Sequence, residues 1–429
     1  MRQITVIILF VIGFSACIEA PNQFTHLPPG QWRGILKLAD PEVANTNYAG
    51  TDQEKLLDYF ELPFNFDVEY VDGEMVIHLI NGDERILVEG VYYGRDPATA
   101  KDTLQMNFKS FDTKMDAYYE ENIIEGYWNV NYKKGYSIPF MAEYGRDHRF
   151  VQQTEEEPVD YGGSWQVEFE YDTEDAYPAI AEFKQDGINL SGTFLTETGD
   201  YRYLDGNVIG DKLRLSVFDG AHAFLFRGSM QNDTIFGEFR SGKHYKSKWR
   251  ATRTSEGTLK DPYAMTGTEV DRINTFSFQD TNGEIYELNQ SSNDSKIKLI
   301  NIMGTWCPNC KDEISYLKQI QKDYPADKLE IVSLAFERYR EEDKAIKQLQ
   351  AYKKSMDISW PLLYGGYANK KENSEQLDFV DKIYSYPTLL VLDESNAIVH
   401  IHTGFNGPAT SRFEAFDIDF RNKLDELIQ

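Results

Sequence analysis

The chain has 429 residues, 41% of them hydrophobic, which at roughly 100–200 residues per domain is enough for two or three domains. Lys and Arg number 44 against 70 Asp and Glu, a formal net charge of -26, and a surface of that sign repels a phosphate backbone, so no nucleic-acid partner is expected. Three cysteines, Cys17, Cys307 and Cys310, are too few for a disulfide-stapled scaffold and point to chemistry instead.

Met1-Arg2-Gln3 opens with positive charge, Ile4 to Phe14 is almost unbroken apolar sequence, and Ser15-Ala16-Cys17 follows with small residues before the cysteine. Charge, apolar core and small-residue cleavage site are the parts of a signal peptide, here residues 1–16. The apolar run is shorter than the roughly 20 residues a membrane-spanning helix needs. A cysteine at the cleavage point resembles a bacterial lipoprotein signal, in which Cys17 is lipidated; Phe14 stands where that pattern usually has Leu. The rest of the chain is then expected in the periplasm or cell envelope, lipid-anchored to a membrane.

Residues 17–155 and 160–254 read as two β units. Trp32-Arg33-Gly34-Ile35-Leu36, Phe64-Asn65-Phe66-Asp67-Val68 and Trp165-Gln166-Val167-Glu168-Phe169 alternate with a period of two, and Asp72-Gly73, Asn81-Gly82, Asp186-Gly187 and Asp205-Gly206 punctuate such runs. This is the pattern of half-buried antiparallel strands joined by tight turns, arranged as a sandwich or barrel. The units share landmarks: Gly30-Gln31-Trp32 and Gly163-Ser164-Trp165 open them, Phe111-Asp112 and Phe218-Asp219 follow, then Ile124 to Trp128 and Ile235 to Phe239. Aromatic alternation is what any sheet core needs, so a packed module is expected ahead of a cavity for an apolar ligand. His78, His222 and His244 show no ligand spacing and read as ordinary strand or loop residues.

Residues 255–268 have linker composition, and from 269 to 429 strands alternate with helices, an α/β pattern. Ile297 to Met303 reads as a buried strand. Pro308 to about Lys322 carries Ile314, Leu317 and Ile320 on one helical face. Further strands are expected at Leu329 to Ala335 and Trp360 to Tyr364, helices at Glu341 to Met356 and Asp417 to Ile428, and a late hairpin at 388–392 and 398–401. Cys307-Pro308-Asn309-Cys310 falls where strand gives way to helix. A thiol there faces the positive end of the helix dipole and free N–H groups, which lowers its pKa from about 8.5 towards roughly 3.5–7.5. Cys307 is then the exposed nucleophile and Cys310, one turn deeper, the thiol that resolves a mixed disulfide. Pro308 suits the first helical position, where no N–H is needed. A zinc half-site would want a second Cys pair or HxxxH, and neither is present. His400 and His402 share one strand face without a third ligand, so no metal is expected.

Gly304-Thr305-Trp306-Cys307-Pro308-Asn309-Cys310, with Glu313 three residues on and Tyr386-Pro387-Thr388 farther down, resembles the TlpA/ResA-type branch of the thioredoxin superfamily over residues 269 to 429. The resemblance implies a thioredoxin fold with extra N-terminal strands and a cis peptide before Pro387 facing the cysteines. It marks Trp306, Pro308, Asn309, Glu313 and Pro387 as supporting residues. Glu313 is either a proton-handling group or a helix-face carboxylate. Asn301 stands where cytoplasmic thioredoxins carry a buried Asp, Ser315 where the family usually has a Pro, and Gly404 matches a family glycine. Pro308 and Asn309 include no His of the kind found in strong oxidants of the superfamily. The expected function is therefore a membrane-anchored extracytoplasmic thiol–disulfide oxidoreductase, without cofactor, that reduces or exchanges disulfides of partner proteins with electrons from a membrane donor. The alternatives are a ligand- or partner-binding β lipoprotein with an accessory redox domain, and a thiol peroxidase, although Pro-x-x-x-Thr-x-x-Cys is absent around Cys307.

Overall fold

The computed structural model describes residues 26–38, 60–288 and 296–428; the signal segment and Cys17 lie outside them. Two nine-stranded antiparallel sheets and one seven-stranded mixed sheet follow one another along the chain. In the first sheet the opening strand, Gly30–Lys37, pairs with the closing strand, Ser137–Tyr144, so that Trp32 lies opposite Tyr144. The second sheet repeats this device: Gly163–Phe169 pairs with Tyr245–Arg253, placing Trp165 opposite Arg253. Both tryptophans are buried. Each donates its indole N–H to a carbonyl four residues back, Trp32 to Pro28 at 3.3 Å and Trp165 to Tyr161 at 2.8 Å. The shared landmarks thus mark one sheet topology used twice.

The two copies differ in closure. In the second, Asn189–Thr196 pairs with Tyr177–Asp186 on one side and Leu204–Ile209 on the other, which bends the sheet into a barrel. In the first, Glu84–Leu87 and Gly90–Arg95 end the sheet on opposite edges, leaving a half-barrel. Period-two alternation lines both interiors with aromatics; Phe194, for example, stacks on Phe226 at 4.5 Å and meets Trp249 at 5.4 Å. Phe218 leaves the barrel to pack on Phe64 and Trp128 of the half-barrel, at 4.9 and 5.2 Å. The buried Arg149 donates to Asn81 Oδ1 at 2.8 Å and to the Ser216 carbonyl at 3.3 Å, tying the two sheets together.

The third sheet has Ile297–Met303 among its inner strands, buried at every position, parallel to the middle strand Leu329–Glu337 and antiparallel to Thr388–Leu392. Continuous apolar character is what a strand covered on both faces requires. Helices α1 (Pro308–Asp323), α2 (Glu342–Ser355), α3 (Lys370–Gln376) and α4 (Phe413–Ile428) accompany it. One expectation needs correction, and one helix has no counterpart among the expectations. The helix expected from Asp417 starts at Phe413, because Phe413 and Phe416 pack on Tyr316 at 5.9 and 5.5 Å. The short α3, capped by the Asn369 side chain, has too few residues for a legible period. No described helix is long and apolar enough to cross a membrane.

Candidate redox site

The strand Ile297–Met303 delivers Cys307 to the N-terminus of α1. Cys307 is the N-cap, and the Cys310 N–H donates to its Sγ at 3.2 Å. The two cysteines form a disulfide with Cα atoms 5.2 Å apart. Contrary to the expectation of an exposed nucleophile, Cys307 is only 5% exposed, because the cis-proline loop and the barrel pack against it, and Cys310 is 0% exposed. The Tyr386–Pro387 peptide is cis, and the Tyr386 carbonyl oxygen lies 3.3 Å from Cys307 Sγ. Trp306 is fixed by its indole N–H to the Phe336 carbonyl at 2.9 Å, with the Arg338 guanidinium 3.8 Å over its ring. Such stacking holds a partly exposed ring in one orientation.

Two buried carboxyl groups belong to the elements that carry the disulfide. Glu313 is fully buried, and Asn301 Nδ2 donates to its Oε2. Its Oε1 has no hydrogen-bond partner among the described residues, and burial holds its pKa well above the ordinary carboxylate value. Glu337 accepts from the Thr305 N–H at 3.0 Å and hydroxyl at 2.8 Å, and burial pushes its pKa up to about 7. Glu337 therefore anchors the loop that leads into Cys307, a role no sequence pattern announced. Ser315 returns its hydroxyl to the Lys311 carbonyl at 2.9 Å within α1.

The barrel reaches over this site. Asn309, in the amide orientation that satisfies both groups, accepts from the Asp200 N–H at 3.2 Å and donates to the Asp200 carbonyl at 3.3 Å. The Ser385 hydroxyl donates to the Thr198 carbonyl at 3.2 Å, and the Gly407 N–H to Asp200 Oδ2 at 2.6 Å. Arg202 joins three elements: it pairs with Asp312 of α1 at 2.6 Å, with Glu84 of the half-barrel, and with Asp219 of the barrel at 3.7 Å. Burial disfavours the Arg202 charge, but Asp312, Glu84 and Asp219 hold its pKa well above the ordinary value. Burial likewise raises Asp312 to about 7 against the pull of Arg202. His222, read from sequence as an ordinary loop histidine, lines the cleft beside Cys307.

His400 and His402 share one strand face, both against Tyr263, at 6.2 and 4.9 Å. Among the described residues no group of three or more His, Cys, Asp or Glu side chains could hold a metal ion. Burial lowers the His402 pKa to about 4. The unfolded chain takes up this proton near pH 6.5 and the folded chain only near 4, so the contribution of neutral His402 is complete above 6.5 and is lost as pH falls through that window. We expect His402→Phe to flatten the acid limb of thermal stability, by up to about 3 kcal/mol at pH 4. Parallel melting curves of the two proteins from pH 7 to 4 would refute this.

A seven-stranded mixed sheet with a Cys-x-x-Cys disulfide at a helix N-terminus and a cis-proline against it defines a thioredoxin-like protein. Residues 270–401 match the AhpC/TSA family. Over 129 residues the chain is 33% identical to the thioredoxin-like protein YneN of Bacillus subtilis (strain 168), covering 30% of this chain and 68% of that protein. Over 131 residues it is 24% identical to the thiol-disulfide oxidoreductase ResA of Halalkalibacterium halodurans, covering 30% of this chain and 65% of that protein. A thioredoxin-family thiol:disulfide interchange protein of Chlorobium tepidum TLS aligns in structure at 21% identity and a TM-score of 0.28, over 38% of this chain and 99% of that one. The chain belongs, through its C-terminal third, to the thioredoxin-like family of ResA/TlpA-type thiol–disulfide oxidoreductases.

Proposed function

We propose that this chain is a lipid-anchored, extracytoplasmic thiol–disulfide oxidoreductase that reduces or exchanges disulfides of partner proteins, with Cys307 as nucleophile and Cys310 as resolving thiol. The observation that carries the reading is Cys307 Sγ at the start of α1, accepting the Cys310 N–H at 3.2 Å. A sulfur so placed is stabilised as a thiolate. In the reduced protein, Cys307 thiolate attacks one sulfur of the partner's disulfide; a mixed disulfide forms and the other partner sulfur leaves as a thiolate that takes a proton. Cys310, deprotonated, then attacks Cys307 Sγ, closing the intramolecular disulfide and releasing the second partner thiol. Two electrons pass to the partner, and a membrane donor restores the dithiol. The leader ending at Cys17 supports the anchor and the location.

Partner trapping with the full chain tests the reading. Cys310→Ser leaves Cys307 able to attack but nothing to complete the exchange, so mixed disulfides should accumulate in cell envelopes and dissolve on reduction. Their absence, with Cys307 shown to be thiolate-reactive, would remove the assignment to protein disulfides. A thiol peroxidase is a second reading compatible with the AhpC/TSA match; thiol-dependent peroxide consumption by the wild-type chain would favour it.

A further inference from the structure

The segment Thr198–Arg202 of the barrel lies across the mouth of the redox site. Its short ladder, Leu195 opposite Asp200 and Thr196 opposite Gly199, turns the chain outward from the barrel rim. From there it touches the cis-proline loop, the start of α1 and the loop after the last strand. Thr198 takes the Ser385 hydroxyl beside the cis-proline. Asp200 pairs its backbone with the Asn309 amide between the two cysteines, and its carboxylate takes the Gly407 N–H. The approach is close enough to need glycine on both sides. A Cβ on Gly404 would come within 2.8 Å of the Thr198 carbonyl carbon, and one on Gly199 would overlap the Asn309 amide.

What remains open beside Cys307 is a cleft of about 170 Å³, walled by Thr198, Asp200, Arg202, His222 and Phe224. Cys307 is only 5% exposed beneath this roof, so a folded polypeptide carrying a cystine does not reach its sulfur while the segment is seated. The roof itself is held by polar contacts: three sets of hydrogen bonds and the Arg202–Asp312 pair at 2.6 Å. The one aromatic side chain in the segment, Tyr201, faces the barrel instead, against Phe194, Phe224 and Phe239 at 6.3, 5.3 and 5.0 Å. The segment therefore stays rooted in the barrel when its polar contacts with the redox domain part. Polar interfaces between units of one chain commonly permit such motion.

We infer that Thr198–Arg202 determines substrate choice at Cys307: while seated it admits only low-molecular-mass thiols and disulfides, and a protein disulfide reaches Cys307 only when the segment lifts, with the Arg202–Asp312 pair as its latch. The inference rests on the reading of Cys307 as an exchange thiol.

The reduced full-length protein is mixed with 2-hydroxyethyl disulfide or with insulin, and the rate of each reaction is followed. Asp200→Ala removes the Gly407 anchor, and Asp312→Asn uncouples the latch while keeping its shape; either alone suffices should the other fail to fold. Each variant should react with insulin about tenfold faster, the change expected from losing one charge-assisted hydrogen bond, while its rate with the small disulfide stays within about twofold of wild type. Amide exchange at 198–202 should speed up in the same variants. Equal acceleration of both substrates, or no change with insulin while exchange at 198–202 rises, would overturn the size selection. A wild-type protein inert to both disulfides would overturn the reading of Cys307 instead.

Discussion

Cys307→Ser is expected to reduce disulfide exchange to the uncatalysed background while leaving the fold in place. The hydroxyl cannot form the mixed disulfide, and it is far less acidic than a thiol, so neither the helix dipole nor the Cys310 N–H can turn it into a useful nucleophile at neutral pH. The structural position is kept, however. Cys307 caps α1, and serine is among the preferred N-cap residues. Its Oγ can take over the acceptor role of Sγ, so the melting temperature should match that of the reduced wild type. Insulin turbidity with a dithiol reductant measures the activity, and far-ultraviolet circular dichroism measures the fold. Substantial turnover by a folded Cys307→Ser protein would mean that electrons enter elsewhere, and the mechanism above would be wrong at its first step.

The parts of this molecule legible in its sequence are those whose signals are local. The run Ile297–Met303, apolar and followed at once by Gly304-Thr305-Trp306-Cys307, carries a buried strand, a turn and a helix start within a few residues. The alternation around Trp32 and Trp165 likewise marks strands with one face inward. Closure is another matter. Whether a meander becomes a half-barrel or a barrel depends on Asn189–Thr196 finding partners on both sides, a long-range choice that alternation does not encode. The same holds at the site. Cys307, Cys310 and Glu313 share one helix, whereas Arg202 and Asp312 meet across 110 residues. His222 reaches the Cys307 cleft only because the barrel docks there. The Phe-Asp pairs are intermediate. They were visible as a repeat, but their use was not: Asp112 accepts from Tyr339 of the redox domain, and Asp219 faces Arg202.

Glu313→Gln is expected to slow release of the mixed disulfide by about 10²-fold or more, the usual range for losing a positioned proton acceptor, with little effect on the first attack by Cys307. Cys310 is fully buried, and burial in apolar surroundings raises a thiol's pKa. It therefore needs a base to become the attacking thiolate. Glu313 sits one turn farther along α1, on the same face, also buried, with Oε1 unpartnered among the described residues. Because burial raises the Glu313 pKa, only its ionised form takes the Cys310 proton, so release should speed up as pH rises through that pKa; glutamine keeps the shape and the contact to Asn301 but cannot take the proton at any pH. Mixed disulfide should then accumulate in a single-turnover experiment, and the pH dependence of release should lose its carboxyl limb. Stability gives an independent readout. Burial raises the Glu313 pKa in the folded chain above the ordinary 4.5, so the folded state holds a proton that the unfolded state has already released. This contribution is fully present below pH 4.5 and is lost as pH rises through the folded pKa. The Gln variant has no such loss, so its advantage over wild type in thermal stability should grow from pH 5 upward. An unchanged release rate, with the stability difference growing as stated, would leave Glu313 as a buried polar partner of Asn301 and return the proton transfer from Cys310 to water.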